Sequence, residues 1–376
     1  MQIIKNKEKI GNILFSVGFF IELMIMIVGH SVIEIPFRGR LTHVAFALFC
    51  CKILTTRYSK KQWIGMVLAG ILGAFCYLML REEYVIRFVV MAFAAKDIDT
   101  DKYFRKWFLV SLAGTVIIAM LAITGVAGLL VDVRHYGRGV EEARWCFGFN
   151  HANNVHCMFW YLAALFLFIN RKQNTLKVYG VCFFLNLVLY AFTKSRTGFI
   201  ATMLLVVGMV AFQYIKSLNK KWWVYLAGAF SVGLCIFLTI WGCIYGYTKS
   251  ELVRFADLFL TQRLQMGYVN ANFNEWQLLP TPREYGGVVD NGITMLFYEY
   301  GVLCATCMLI MLFWLIYIMY KQHNGCGFII LLTTVLVFFM EKGFIFNASL
   351  LYNVLIMTLM SQWEKGQSRS NTGELI

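Results

Sequence analysis

Between Lys221 and Gly246 the chain reads Trp222-Trp223-VYLAGAFSVGLCIFLTIWGCI-Tyr245, without one Asp, Glu, Lys or Arg. As a helix these roughly 24 residues rise about 36 Å, more than the ~30 Å of hydrocarbon in a bilayer. Lys220 and Lys221 stand just before it, and two tryptophans open it. That is what a membrane boundary collects: basic residues on the cytoplasmic side and aromatic rings at headgroup level. Working outward in both directions, the same reading divides the chain into about a dozen apolar spans. They are 11–34, 41–54, 63–80, 84–95, 107–131, 152–169, 176–193, 197–215, 222–245, 290–319, 326–340 and 344–362. Spans 41–54 and 84–95 fall short of the ~20 residues that cross hydrocarbon. They read as tilted neighbours, broken helices or spans with buried ends. The expected fold is therefore all-α: one polytopic membrane domain over 1–376, with about 12 spans and both termini in the cytoplasm.

Composition agrees. Of 376 residues, 60% are apolar and three are proline, the balance of an integral membrane protein. Aromatic residues at Trp63, Tyr84, Trp107, Trp145, Trp222, Trp223 and Trp363 sit near span ends, as interfacial belts require. The formal charge of +14 is spread over many short loops and forms no basic domain, which argues against nucleic acid. The basic start at 1–9 leads into an uncleaved span with no small-residue cleavage site. Most cysteines lie within spans; Cys304-x-x-Cys307 has redox spacing but sits inside an apolar helix and reads as packing.

The charges are sorted by type. On this topology roughly sixteen lysines are cytoplasmic, the ordinary orientation signal. About eleven of fifteen arginines face outward, among them Arg38, Arg81, Arg134, Arg138, Arg144, Arg196, Arg254, Arg263 and Arg283. The orientation rule does not explain them. Guanidinium binds phosphate and carboxylate bidentately, so an arginine-bearing outer face implies a phosphate-bearing or anionic ligand there.

Two outward loops are long, 132–150 and 246–289, and long loops in compact proteins usually carry function. Within the second, 251–266 places Leu252, Phe255, Phe259 and Met266 near one face, as in an amphipathic helix lying at the interface. Residues 364–376 read as a polar cytoplasmic tail.

Polar groups crowd the outer ends of several spans. Arg144-Trp-Cys-Phe-Gly-Phe-Asn150-His151-Ala-Asn153-Asn154 opens span six with a cation, an imidazole and amides, either a helix cap or a site. His156 follows inside the span; a metal pair with His151 finds no third ligand. The turn Lys194-Ser195-Arg196-Thr197-Gly198 is too short to swing, which fixes Arg196 at headgroup depth. Asp290-Asn291-Gly292 starts span ten, where an acid complements the helix dipole, orients an arginine or acts as a base. Glu341 places another carboxylate at the same depth. Glu22 is an intramembrane charge without an evident partner. Asp97-x-Asp99-x-Asp101 lacks the glycine and distal glutamate of a calcium loop and reads as solvated. No P-loop, dinucleotide or zinc signature appears, so neither a metal nor a cofactor is expected.

Taken in order, these elements resemble the Wzy-type polymerases of the O-antigen ligase and polymerase family. Gly148-Phe-Asn150-His151-Ala152-Asn153 resembles that family's glycine-rich His-Pro-Asn stretch, and Ser195-Arg196-Thr197-Gly198 its Ser-Arg turn. Gln262-Arg263 is similar to its Gly-Arg pair, and Asp290-Asn291-Gly292 with Glu299-Tyr300-Gly301 to its Asp-Asn and Tyr-Gly elements. The resemblance covers most of the chain from about 130 onward. Ala152 stands where the family has proline and Gln262 where it has glycine, which puts local backbone geometry at issue.

The resemblance implies an undecaprenyl-pyrophosphate-linked oligosaccharide as substrate, polymerised on the outer face of the cytoplasmic membrane. Membrane lipid, a flippase and a chain-length regulator are the implied partners. Arg196 and Arg263 would hold the donor pyrophosphate, helped by Arg144 and Arg283. His151 would accept the proton of the attacking hydroxyl, with Asp290 as the alternative. Asn153 and Asn291 would bind sugar hydroxyls or hold the loop, and Glu341 would contribute to substrate binding. Guanidinium groups would stabilise the leaving pyrophosphate without a metal. A family ligase acting on another acceptor, or a flippase of lipid-linked oligosaccharide, are the rival expectations.

Overall fold

The computed structural model describes residues 2–135, 141–246, 250–260, 262–270, 277–282 and 289–341. The described chain is mostly helical. In order it forms α1 (Gln2–Gly29), α2 (Arg38–Thr55), α3 (Lys60–Leu80), α4 (Tyr84–Ala94), α5 (Thr100–Ile123), β1 (Val131–His135) and β2 (Glu141–Trp145). Then come α6 (Ala152–Ile169), α7 (Leu176–Thr193), α8 (Arg196–Tyr214), α9 (Trp222–Trp241), α10 (Glu251–Phe259), α11 (Arg263–Asn270), α12 (Gly292–Lys321) and α13 (Gly325–Met340). Among the described residues eight helices are long and apolar enough to cross a membrane: α1, α3, α5, α6, α7, α8, α9 and α12. α4 and α13 are apolar but shorter. α2 carries Arg38, Arg40 and Lys52 within its 18 residues. The expected span 344–362 and the tail 364–376 lie outside the described residues.

Two expectations are corrected and one is filled in. The segment 132–150, expected as an outward loop, contains a short β-hairpin beside a mostly helical bundle: Val131 pairs with Trp145 and His135 with Glu141 in an antiparallel register. Val131-Asp-Val-Arg-His alternates apolar and polar residues, the period of a strand, and pairing satisfies backbone groups that a bare loop would leave open. The single amphipathic helix over 251–266 is instead two short helices, α10 and α11. Span ten is not continuous either. Gly301 interrupts α12 with φ 75° and ψ 165°, a conformation essentially reserved for glycine. Residues 277–281 run beside the break: Val302 N donates to Gln277 O at 3.0 Å and Leu303 N to Leu278 O at 3.0 Å. A Cβ on Gly301 would lie 2.7 Å from the Leu279 carbonyl carbon. Beyond the break about 20 residues remain, roughly 30 Å of helix, enough to cross alone.

The described residues divide into two compact units. One comprises the chain up to Leu129 with Gly148–Asn150; the other comprises Leu130–Phe147 and the chain from His151 to 341. In the first, α1 packs on α2 and α5, and α4 on α2 and α3. Its core is aromatic: Phe19 meets Trp107 edge-on at 5.1 Å, and Phe15 meets Tyr103 at 5.3 Å. Trp107 is thus a core side chain, 1% exposed, rather than part of an interfacial belt. Glu22 is paired with Arg87 of α4, the partner the sequence left unnamed; Arg87 also lies 3.7 Å from Glu83. Asp99 caps α5 by accepting from Lys102 N at 3.1 Å, so that acidic run is a helix start. Gly148–Asn150 pairs with the chain after α1, Asn150 N donating to His30 O at 2.9 Å.

In the second unit α8 packs against α6, α7 and α13, and α13 also meets α12 and α9. α6 is buried on nearly every side, from Cys157 and Trp160 to Leu167, as a central helix should be. The N-termini of α6 and α8 and the C-terminus of α13 come together at one end of this unit. That end carries the site.

Candidate functional site

α6 starts at His151, whose Nδ1 accepts from Asn153 N at 3.1 Å. The capping half of the two readings of His151 is therefore occupied: Nδ1 holds a backbone amide, which places the neutral ring's proton on Nε2. Ala152 is the first helical residue, a position where proline too would be tolerated. α8 starts after Lys194, which turns the chain through φ 51°, and Ser195, whose Oγ accepts from Gly198 N at 3.4 Å. A Cβ on Gly198 would lie 2.6 Å from His156 Cβ, so glycine lets this turn press against α6. Below it the His156 ring is held by Thr193 Oγ1 at 2.9 Å and Asn186 Oδ1 at 2.8 Å. Asn186 Nδ2 in turn donates to Phe199 O at 3.2 Å. His156 thus ties α6, α7 and α8 together and is no metal partner of His151.

α11 is positioned by a carboxylate. Asp257 of α10 is fully buried; its Oδ1 accepts from Leu264 N at 2.7 Å and its Oδ2 from Gln265 N at 2.9 Å. Burial raises its pKa and the two backbone donors work against that rise. Gln262, between the helices, adopts φ 62°. A residue with a side chain therefore holds this left-handed turn. Val253 and Asp257 face inward, while Leu252, Phe255 and Leu258 are exposed.

This geometry delivers Arg263 to the end of α13. It is 8% exposed; its Nε donates to Met340 O, its Nη1 to Leu260 O at 3.1 Å, and its Nη2 to Glu341 Oε1 at 2.9 Å. The same Oε1 accepts from Asn153 Nδ2 at 3.0 Å and from Thr197 Oγ1 at 3.2 Å. Burial pushes Glu341 up to about 7, opposed by Arg263, reinforced by Asp290, and opposed again by the bonds from Thr197 and Arg263. Four elements far apart in sequence therefore meet on one carboxylate oxygen.

Of the residues expected from sequence, the structure joins Asn153, Arg263 and Glu341, with Asp290 near enough to act on Glu341 electrostatically. Arg196 adjoins Thr197 at the first position of α8; it is exposed and makes no ion pair among the described residues. Arg144 is anchored elsewhere: 4% exposed on β2, it donates to Glu142 Oε2 through Nε at 3.0 Å and Nη2 at 2.8 Å. Asn291 is fully buried, its Oδ1 capping α12 at Thr294 N (3.0 Å) and its Nδ2 donating to Thr239 Oγ1 at 3.3 Å. Arg283 lies outside the described residues. Sequence reasoning passed over Thr197, although it sits in the turn singled out for its arginine, and Asp257, whose capping role spans seven residues. Among the described residues no group of three His, Cys, Asp or Glu side chains could hold a metal ion.

Compared with protein-family models, with curated proteins and with solved structures, the chain matches none.

Proposed function

We propose that this membrane protein polymerises undecaprenyl-pyrophosphate-linked oligosaccharide repeat units, by a Wzy-type transfer on the outer face of the cytoplasmic membrane. The observation that carries the reading is the convergence of Arg263, Asn153 and Thr197 on Glu341, Thr197 being the next residue after the exposed Arg196 that starts α8. The transfer expels a pyrophosphate whose negative charge grows as the bond breaks, and fixed cationic donors stabilise such charge. The N-terminus of α8 adds its dipole to the Arg196 guanidinium, two attractions for one anion. Arg263 is largely committed to protein acceptors, which makes it the group that fixes Glu341, with Arg196 as the pyrophosphate ligand. The lysine and arginine sorting supports the outward placement of this end.

A transporter reading draws on one observation, the broken helix α12, since substrate sites in transporters use discontinuous helices. The break, however, is paired to residues 277–281 of the same chain. Lipid-linked glycans extracted from cells lacking the protein separate the readings. Accumulated single repeat units on the outer leaflet support polymerisation. Single units retained on the inner leaflet mean a flippase, and accumulated long lipid-linked polymer means a ligase.

A further inference from the structure

We propose that Glu341, rather than His151 or Asp290, removes the proton from the attacking sugar hydroxyl, an inference that rests on the polymerase reading. The geometry is asymmetric. Asn153, Thr197 and Arg263 all donate to Oε1, while no hydrogen bond among the described residues reaches Oε2. One oxygen anchors the carboxylate in a fixed orientation, and the other keeps its lone pairs for a proton. The side chain retains 14% of its surface, so it is neither sealed nor free to rotate into water. His151 is differently placed, because its unprotonated nitrogen already accepts from Asn153 N, and using that lone pair for catalysis breaks the cap of α6.

The surroundings set the proton affinity. Among the described residues the charged groups that act on Glu341 are Arg263 of α11 and Asp290 before α12, while His151, His156 and Cys157 at the start of α6 and Lys194 and Arg196 at the start of α8 lie on the elements packed around it. Arg263 favours the carboxylate, while burial and Asp290 favour the acid. The balance falls near neutral pH, where a base is most effective.

In the step itself, the acceptor hydroxyl oxygen bonds to the anomeric carbon of the donor. The bond from that carbon to the pyrophosphate oxygen breaks, and its electron pair leaves with undecaprenyl pyrophosphate, held by Arg196. The hydroxyl proton passes to Glu341 Oε2 and returns to water before the next transfer.

The test uses full-length protein in liposomes, with lipid-linked repeat units extracted from deletion cells as the probe. Wild-type turnover should rise with pH through about 7 and level off. Glu341→Gln keeps an acceptor for the three donors but cannot take the proton; its turnover should fall by ~10²–10⁴-fold, without the pH-dependent rise and with the donor still bound. His151→Ala should retain the rise. Glu341→Gln with ordinary turnover and an unchanged profile overturns the proposal while leaving polymerisation intact, whereas wild-type protein that builds no polymer overturns the polymerase reading itself. If Glu341→Gln does not fold, the wild-type profile at two temperatures decides. A carboxyl midpoint barely moves with temperature and an imidazole midpoint moves clearly, so a moving midpoint or a flat profile contradicts the proposal.

Discussion

Arg196 and Arg263 look equivalent as outward arginines, yet their surroundings give them different work. Arg263 is buried and fixed by two backbone carbonyls and a carboxylate, whereas Arg196 is exposed at a helix start. A buried, multiply bonded guanidinium holds structure; an exposed one at an anion-attracting terminus is placed to bind the pyrophosphate on the proposed reading. Arg196→Lys keeps the charge but loses the planar fork, so polymer formation should drop at least tenfold with membrane abundance unchanged. Near-normal polymer from the lysine variant would mean a generic interfacial charge. His151→Ala should cost about 0.5–2 kcal/mol of stability through the lost cap and leave turnover within roughly tenfold. Paired melting curves and rates measure both. At this scale the sequence displayed Arg196, Asn153 and Glu341 openly, because polar groups at the ends of apolar spans stand out. The roles were harder to see. Whether the histidine lone pair is already used depends on the cap geometry two residues on, and whether an arginine or amide is already paired depends on contacts 78 and 188 positions apart.

Helices followed from apolar runs, since length and hydropathy together leave a membrane segment few alternatives. What escaped were features whose signal is short or non-local. The hairpin of β1 and β2 rests on five-residue alternations that a search for spans treats as loop. The break in α12 depends on residues 277–281 supplying acceptors beside Gly301, a tertiary pairing that local composition does not announce. Gly301→Ala places a Cβ against the Leu279 carbonyl in a glycine-only conformation. It should therefore destabilise by about 1–3 kcal/mol or more, read as a lower unfolding midpoint in detergent. Gln262 makes the complementary case, holding φ 62° with a side chain present. Gln262→Gly should change stability by less than about 1 kcal/mol, because relief of left-handed strain is offset by glycine's greater backbone entropy. A large loss from that variant would show that the Gln262 side chain contributes contacts of its own.

For the whole molecule, the mechanism requires the end that gathers α6, α8 and α13 to face outward, with donor lipid, acceptor sugar and released pyrophosphate on one side. A cysteine introduced at 270–275 should react with impermeant maleimide from outside intact cells, and one at 216–221 should not; the reverse pattern would invert every loop. The central claim is chemical, and elongation by the purified protein tests it most directly. Full-length protein in liposomes is given undecaprenyl-pyrophosphate-linked repeat units from deletion cells, in excess EDTA, and products are resolved by length. The account expects a ladder of multimers with one undecaprenyl pyrophosphate released per bond, since guanidinium groups stabilise the leaving group. Unchanged single units, or a ladder that forms only when magnesium or manganese is restored, would contradict it.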